Sequence, residues 1–105
     1  MSGYIHGFDP VEVARLVRQA RTLAPWTMED VWFPRGGRVL EVGCGVGAEL
    51  VLLAERMPEV SFLGVDLSLS QVAAAREQLA GSAIPVLQAA GDRLPFADAS
   101  LDGIF

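Results

Sequence analysis

The residues of this chain whose types and spacing could do chemistry begin with EVGCGVGA, 41–48. Gly43, Gly45 and Ala48 satisfy G-x-G-x-x-G/A, a turn that brings backbone close to a pyrophosphate. Gly43, Gly45 and Gly47 equally spell G-x-G-x-G. In either reading the missing side chains admit a ligand to the main chain, and a helix N-terminus follows. The ligands differ in charge. A dinucleotide lays its pyrophosphate over the helix N-terminus, where anions are favoured. A ligand with an amino-acid tail and a cationic centre calls for a nearby carboxylate, and Glu41 stands two residues before Gly43. A second acid, Asp66, follows Gly47 by 19 residues. A carboxylate there accepts hydrogen bonds from ribose hydroxyls, so Asp66 argues for a nucleoside ligand without choosing between the two.

These groups need elements to hold them. RVLEV (38–42) reads as a short buried strand, and Val46 to Met57 as an apolar helix that stops before Pro58. SFLGV (61–65) is a second strand. Ser68 opens another helix, Gln71 completes a capping box, and Gly81 ends the helix. IPVLQAA (84–90) is a third strand, and LDGIF (101–105) begins a fourth. Upstream, Asp9 as N-cap, Pro10 at the first helical position and Glu12 start a leading helix. Its apolar face is Val13, Leu16, Val17, Ala20, Leu23 and Ala24, while Arg15, Arg18 and Arg21 form a solvated face. Trp26 to Phe33 is expected to add a second helical piece before the Gly36-Gly37 turn. Strand–helix alternation with such connections implies an α/β fold: a parallel sheet with right-handed crossovers and flanking helices.

Composition bounds the rest. At 105 residues there is room for one domain with a modest core. Apolar residues are 51% and charged residues 20%, a globular profile, and no apolar run is long enough to span a bilayer. The N-terminus lacks the pattern of a secretory signal, and a lone cysteine, Cys44, excludes an internal disulfide; both fit a cytoplasmic protein. Of the net charge of −5, residues 1–38 hold five Arg against four acids and residues 39–105 three Arg against nine. That acidic balance argues against nucleic acid as an electrostatically captured partner.

The choice of ligand is made further along. Gly91-Asp92 follows the third strand, then Leu94-Pro95-Phe96, then Asp102 at the fourth. The blocks VLEVGCGVG, GVDLS, and GDRLPF followed by SLDGIF resemble class I S-adenosylmethionine-dependent methyltransferases, in that family's order and spacing, over about residues 38–105. The leader YIHGFDPVEVARLVRQARTLAPW looks like that of bacterial small-molecule enzymes including ubiquinone-biosynthesis-like methyltransferases.

The resemblance implies a Rossmann-like sheet in the order 3-2-1-4, with residues 1–37 as a helical leader or lid and 38–105 as the cofactor-binding half. It implies S-adenosyl-L-methionine as cofactor and methyl transfer to a small-molecule acceptor. Glu41, Gly43, Cys44, Gly45 and Gly47 would line the methionine portion, Cys44 as a small loop residue rather than a nucleophile. Asp66 would hold the ribose and Leu67 pack on the adenine. Asp92, with Arg93 beside it, would meet the adenine amino group. Tyr4 and His6 are lid candidates; Asp102 reads as a strand-start residue. The identity of any catalytic base is not readable, and no metal site can be assembled. A fourth strand ending on Ile104-Phe105 suggests a truncated domain, inactive alone and prone to self-association through its bare edge. Two other readings stay open: an NAD(P)-binding oxidoreductase fragment, and a non-catalytic half-domain that pairs with another chain.

Overall fold

The computed structural model describes residues 9–90 and 101–105. Seven elements follow in order: α1 (Pro10–Thr27), β1 (Arg38–Val42), α2 (Ala48–Arg56), β2 (Ser61–Asp66), α3 (Leu69–Gln78), β3 (Val86–Gln88) and β4 (Gly103–Ile104). The strands form one parallel sheet, as the strand–helix alternation implied, in the order β3-β2-β1-β4 that the resemblance implied. Successive strands add on one side of β1 until β4 crosses to the other. The crevice at the carboxyl end of β1 is therefore the switch point, where open α/β sheets receive ligands.

The central position of β1 explains its near-continuous apolar run. Val39 and Leu40 are fully buried between strand neighbours and helices. Leu50 and Leu53 of α2, Val65 of β2, and Val72 and Ala75 of α3 complete the most buried layer. Truncating either of those leucines to Ala would cost about 2–5 kcal/mol. Asp102 fixes the entry of β4 beside β1: its amide donates to the Arg38 carbonyl at 2.8 Å, and its Oδ2 accepts the Arg38 amide at 2.8 Å. That is the strand-start role read from the sequence.

Helix α1 starts as its residues dictate. Asp9 Oδ1 accepts the Glu12 amide at 2.9 Å, and Pro10 stands at the first helical position. Val13 is the buried residue of α1 and packs with Val46 and Ala74, with Leu16, Val17 and Ala48 around them. A bidentate pair from Arg21 to Glu55, at 3.0 and 3.2 Å, ties α1 to α2 on the outside. Arg15 pairs with Glu12 on the solvated face.

The structure corrects four boundaries. Residues 26–33 form no second helix. Instead α1 runs through Pro25 to Thr27, and Met28, 2% exposed, closes it by donating its amide N–H to the Ala24 carbonyl at 2.9 Å. The Arg56 guanidinium then takes the carbonyls of Met28 and Glu29. A single proline so near the end removes one helical donor only, which buried Met28 outweighs. Helix α2 begins at Ala48 rather than Val46, because Gly47 adopts φ +83°, outside the right-handed helical region. Helix α3 stops at Gln78, before Gly81 at φ +87°. Strand β3 shrinks to Val86–Gln88, since Pro85 has no amide to extend the ladder.

Candidate functional site

The loop 43–47 is built by three left-handed glycines, Gly43, Gly45 and Gly47, at φ +71°, +56° and +83°. The amides of Gly43 and Cys44 both donate to the Val65 carbonyl, at 2.9 and 3.0 Å, which folds the loop over the end of β2. Asp66 fastens it. Its Oδ2 accepts the Gly45 amide at 3.0 Å and its Oδ1 the Ser68 amide at 2.9 Å. The expected capping box is thus half formed: Ser68 Oγ accepts the Gln71 amide at 3.4 Å, while Asp66 takes the Ser68 amide.

The three glycines have different surroundings. A Cβ on Gly43 would meet nothing within 4 Å, and one on Gly45 only Gln71 Oε1 at 3.5 Å. These two leave an open cradle. A Cβ on Gly47 would lie 3.1 Å from Leu79 Cδ1 and 3.5 Å from the Ala75 Cβ, so Gly47 turns its missing side chain to α3. Beneath the loop, Cys44 is buried against Gly64. Burial and the nearby acids Glu41 and Asp66 push its thiol up to about 12, so it carries no thiolate at neutral pH.

A cavity of about 480 Å³ opens over this cradle. Glu41, Gly43, Cys44 and Gly45 form its floor, Ala48 and Glu49 the start of α2, and Glu12, Leu16, Gln19 and Leu23 the α1 wall. That volume is ordinary for a nucleoside cofactor. Glu41 is 6% exposed, and its Oε1 is buried with no hydrogen-bond partner among the described residues. Burial first, then the adjoining Glu49 carboxyl and Asp66, raises the Glu41 carboxyl to about 9. No side chain caps α2, so its first amides face the same region. Leu67, 71% exposed, projects beyond Asp66.

Of the residues singled out from sequence, the structure gathers Glu41, Gly43, Cys44 and Gly45 at the cavity floor, with Asp66 bracing the loop. Tyr4, His6, Asp92 and Arg93 lie outside the described residues. Sequence reasoning missed Glu49 and the α1 wall. An acid in the first turn of a helix is the common dipole complement and raises no suspicion. Glu12 was absorbed in the same way, as a helix-start residue. Among the described residues no three His, Cys, Asp or Glu side chains are grouped to hold a metal, and no helix is long and apolar enough to cross a membrane.

Fold and cradle together define a class I methyltransferase domain. The methyltransferase domain family model matches residues 39–105, and the chain belongs to that family. The chain is 32% identical over 85 residues to a trans-aconitate 2-methyltransferase of Acidovorax ebreus, covering 81% of this chain and 32% of that protein. It is 41% identical over 44 residues to a tRNA (guanine-N(7)-)-methyltransferase of Shewanella oneidensis, covering 42% of this chain and 18% of that one. Among solved structures, the complex of the Haloferax volcanii Trm112 methyltransferase activator with a methyltransferase gives a TM-score of 0.74 at 23% identity, over 90% of this chain and 42% of that one. S-adenosylmethionine-bound CalS10, an amino pentose methyltransferase from Micromonospora echinaspora, gives 0.55 at 26% identity, over 90% and 34%. The chain thus spans about a third of the length of its first curated relative.

Proposed function

We propose that this chain is the S-adenosylmethionine-binding half of an enzyme that methylates a small-molecule acceptor. The observation that carries the reading is Glu41: an acid buried at the floor of a nucleoside-sized cavity, with an unpartnered oxygen. A buried polar atom is costly unless something satisfies it, and an ammonium group would. The open cradle at Gly43 and Gly45 fits a ligand that lies against backbone. The uncapped start of α2 suits the tail carboxylate, and the Glu41–Glu49 side of the cavity suits its amino group. Asp66 keeps lone pairs for ribose hydroxyls beyond its two backbone bonds, and exposed Leu67 offers an apolar surface for the adenine. Asp92 and Arg93 are assigned to the adenine edge by the resemblance alone.

The cofactor, once bound, supplies an electrophilic methyl on a sulfonium, open to in-line displacement. The residues of this chain bind and orient it, and the α1 wall, as part of the 1–37 leader, excludes water. Groups that bind the acceptor are assigned to parts of the protein outside the matched span. The acidic balance of residues 39–105 favours a small molecule over nucleic acid as acceptor. A cytoplasmic location is in keeping with the lone cysteine. The oxidoreductase reading is disfavoured by the same carboxylates, since a pyrophosphate at the start of α2 would face Glu41 and Glu49.

Thermal unfolding of the full-length protein tests the proposal. S-adenosylmethionine at ~100 times its Kd stabilises by about 2.7 kcal/mol and should raise Tm by roughly 5 °C, with NAD⁺ inert. A shift with NAD⁺ and none with S-adenosylmethionine would overturn it.

A further inference from the structure

The cavity floor holds a second feature, resting on the cofactor assignment above. Glu41 from the end of β1 and Glu49 from the first turn of α2 line the same cavity. Glu41 is buried and Glu49 exposed, so a charge on Glu41 would lie out of water and beside another acid, and a proton on Glu41 relieves both costs. Every other titratable group facing Glu41 is acidic or neutral: Asp66 at the end of β2, Cys44 in the loop, and Glu12 across the cavity on α1. Among the described residues no cationic side chain lines the cavity, and Arg15, the cation beside Glu12, is already paired with it. The Glu41 oxygen left without a partner is buried at this floor.

We propose that Glu41 holds a proton in the free protein and releases it to solvent when the amino group of the cofactor's tail enters, so that cofactor binding is coupled to deprotonation. The step balances simply: the O–H bond of one carboxyl breaks, the proton goes to buffer, and the resulting carboxylate meets an ammonium that keeps its own three protons. The coupling sets the sign of the pH dependence. Raising the pH removes the proton that the ligand must displace, so affinity rises with pH, by up to about tenfold per unit for one proton. The window lies below about pH 7.5, where an α-amino group remains charged.

The test is calorimetric titration of the full-length protein with S-adenosylmethionine at about pH 6.5, in buffers of differing ionisation enthalpy. The expected result is release of close to one proton per ligand, and a Kd that falls between about pH 6 and 7. S-adenosylhomocysteine, which has the ammonium but no sulfonium, should release the same proton. Glu41→Gln, an isostere without the proton, should bind with no release and a flat Kd over that range. An infrared carbonyl band of a protonated carboxyl, present in the free protein and absent in Glu41→Gln, reads the same proton without a ligand. Binding without proton release overturns this inference and leaves the cofactor assignment standing. Release with S-adenosylmethionine but not S-adenosylhomocysteine overturns it too, by assigning the effect to the sulfonium. Absence of binding by both removes the cofactor assignment and this inference with it.

Discussion

Asp66 holds Gly45. Its Oδ2 accepts the Gly45 amide at 3.0 Å while its Oδ1 accepts the Ser68 amide at 2.9 Å, so one carboxylate at the end of β2 sets both the glycine loop and the start of α3. Bonds to a charged acceptor are worth about 1.5–3 kcal/mol each in well-ordered sites, and less where water competes, as at partly buried Asp66. Asp66→Ala should therefore lower unfolding free energy by about 2 kcal/mol in urea titrations, with Asp66→Asn intermediate. A change within about 0.5 kcal/mol would show that the loop does not depend on this residue.

Gly64 faces the loop from the opposite side. A Cβ there would come within 2.9 Å of both Cβ and Sγ of Cys44 and 2.8 Å of Leu50 Cδ1. Gly64→Ala is expected to cost about 1–3 kcal/mol by overpacking. Denaturant unfolding measures it, and a neutral substitution would mean that the loop yields without strain.

The same packing controls the thiol. With its proton held up to about 12 by burial and two acids, Cys44 should resist alkylation by iodoacetamide at pH 8. Labelling should proceed only as fast as the domain opens, and should accelerate in sub-denaturing urea. Fast labelling of the native protein would contradict the buried placement.

How much of this could be read from the sequence depends on where tertiary context intervenes. The four strands, their parallel direction and the helix start at Asp9 follow from apolar runs, element alternation and cap residues, whereas the order 3-2-1-4 came from the family resemblance. The end of α1 follows from neither. The face read from sequence ends at Ala24 with a separate piece expected from Trp26, yet buried Met28, whose carbonyl is held by Arg56 28 positions away, carries α1 through Pro25 to Thr27. At the site, glycine spacing and strand-end acids pointed to Glu41 and Asp66. The burial of Glu41 and its approach to Glu49 arise only when α2 packs over the strand, and no spacing rule reports it. Gly47 matched a pattern, but its neighbours, Ala75 on α3 and Leu79 at that helix's end, sit where the pattern gives no information.

Glu41 also sets a pH dependence of stability. Its carboxyl rises from an ordinary 4.5 to about 9 on folding, so between these values the folded chain binds the proton and the unfolded chain does not. Stability is fully present below about pH 4.5 and is lost as pH rises toward 9, at no more than about 1.4 kcal/mol per unit. Urea midpoints of the unliganded protein should fall across this range, and Glu41→Gln should flatten that slope. Parallel slopes for the two proteins would refute the assignment.

Strand β4 forms one edge of the described sheet, and Ile104 on it is 63% exposed. An exposed apolar edge templates pairing with another chain. The 105-residue chain produced alone should self-associate with concentration in sedimentation experiments, and Ile104→Lys should reduce this. A monodisperse monomer at all concentrations would argue against an open edge.

The central claim, that the Glu41 cavity holds S-adenosylmethionine, is tested most directly by its Kd for the full-length protein and three variants. Glu41→Ala and Asp66→Ala should each weaken binding by at least tenfold, about 1.4 kcal/mol, while Arg18→Ala on the solvated face of α1 leaves it unchanged. Equal affinity in all four proteins would place the cofactor elsewhere and contradict the account.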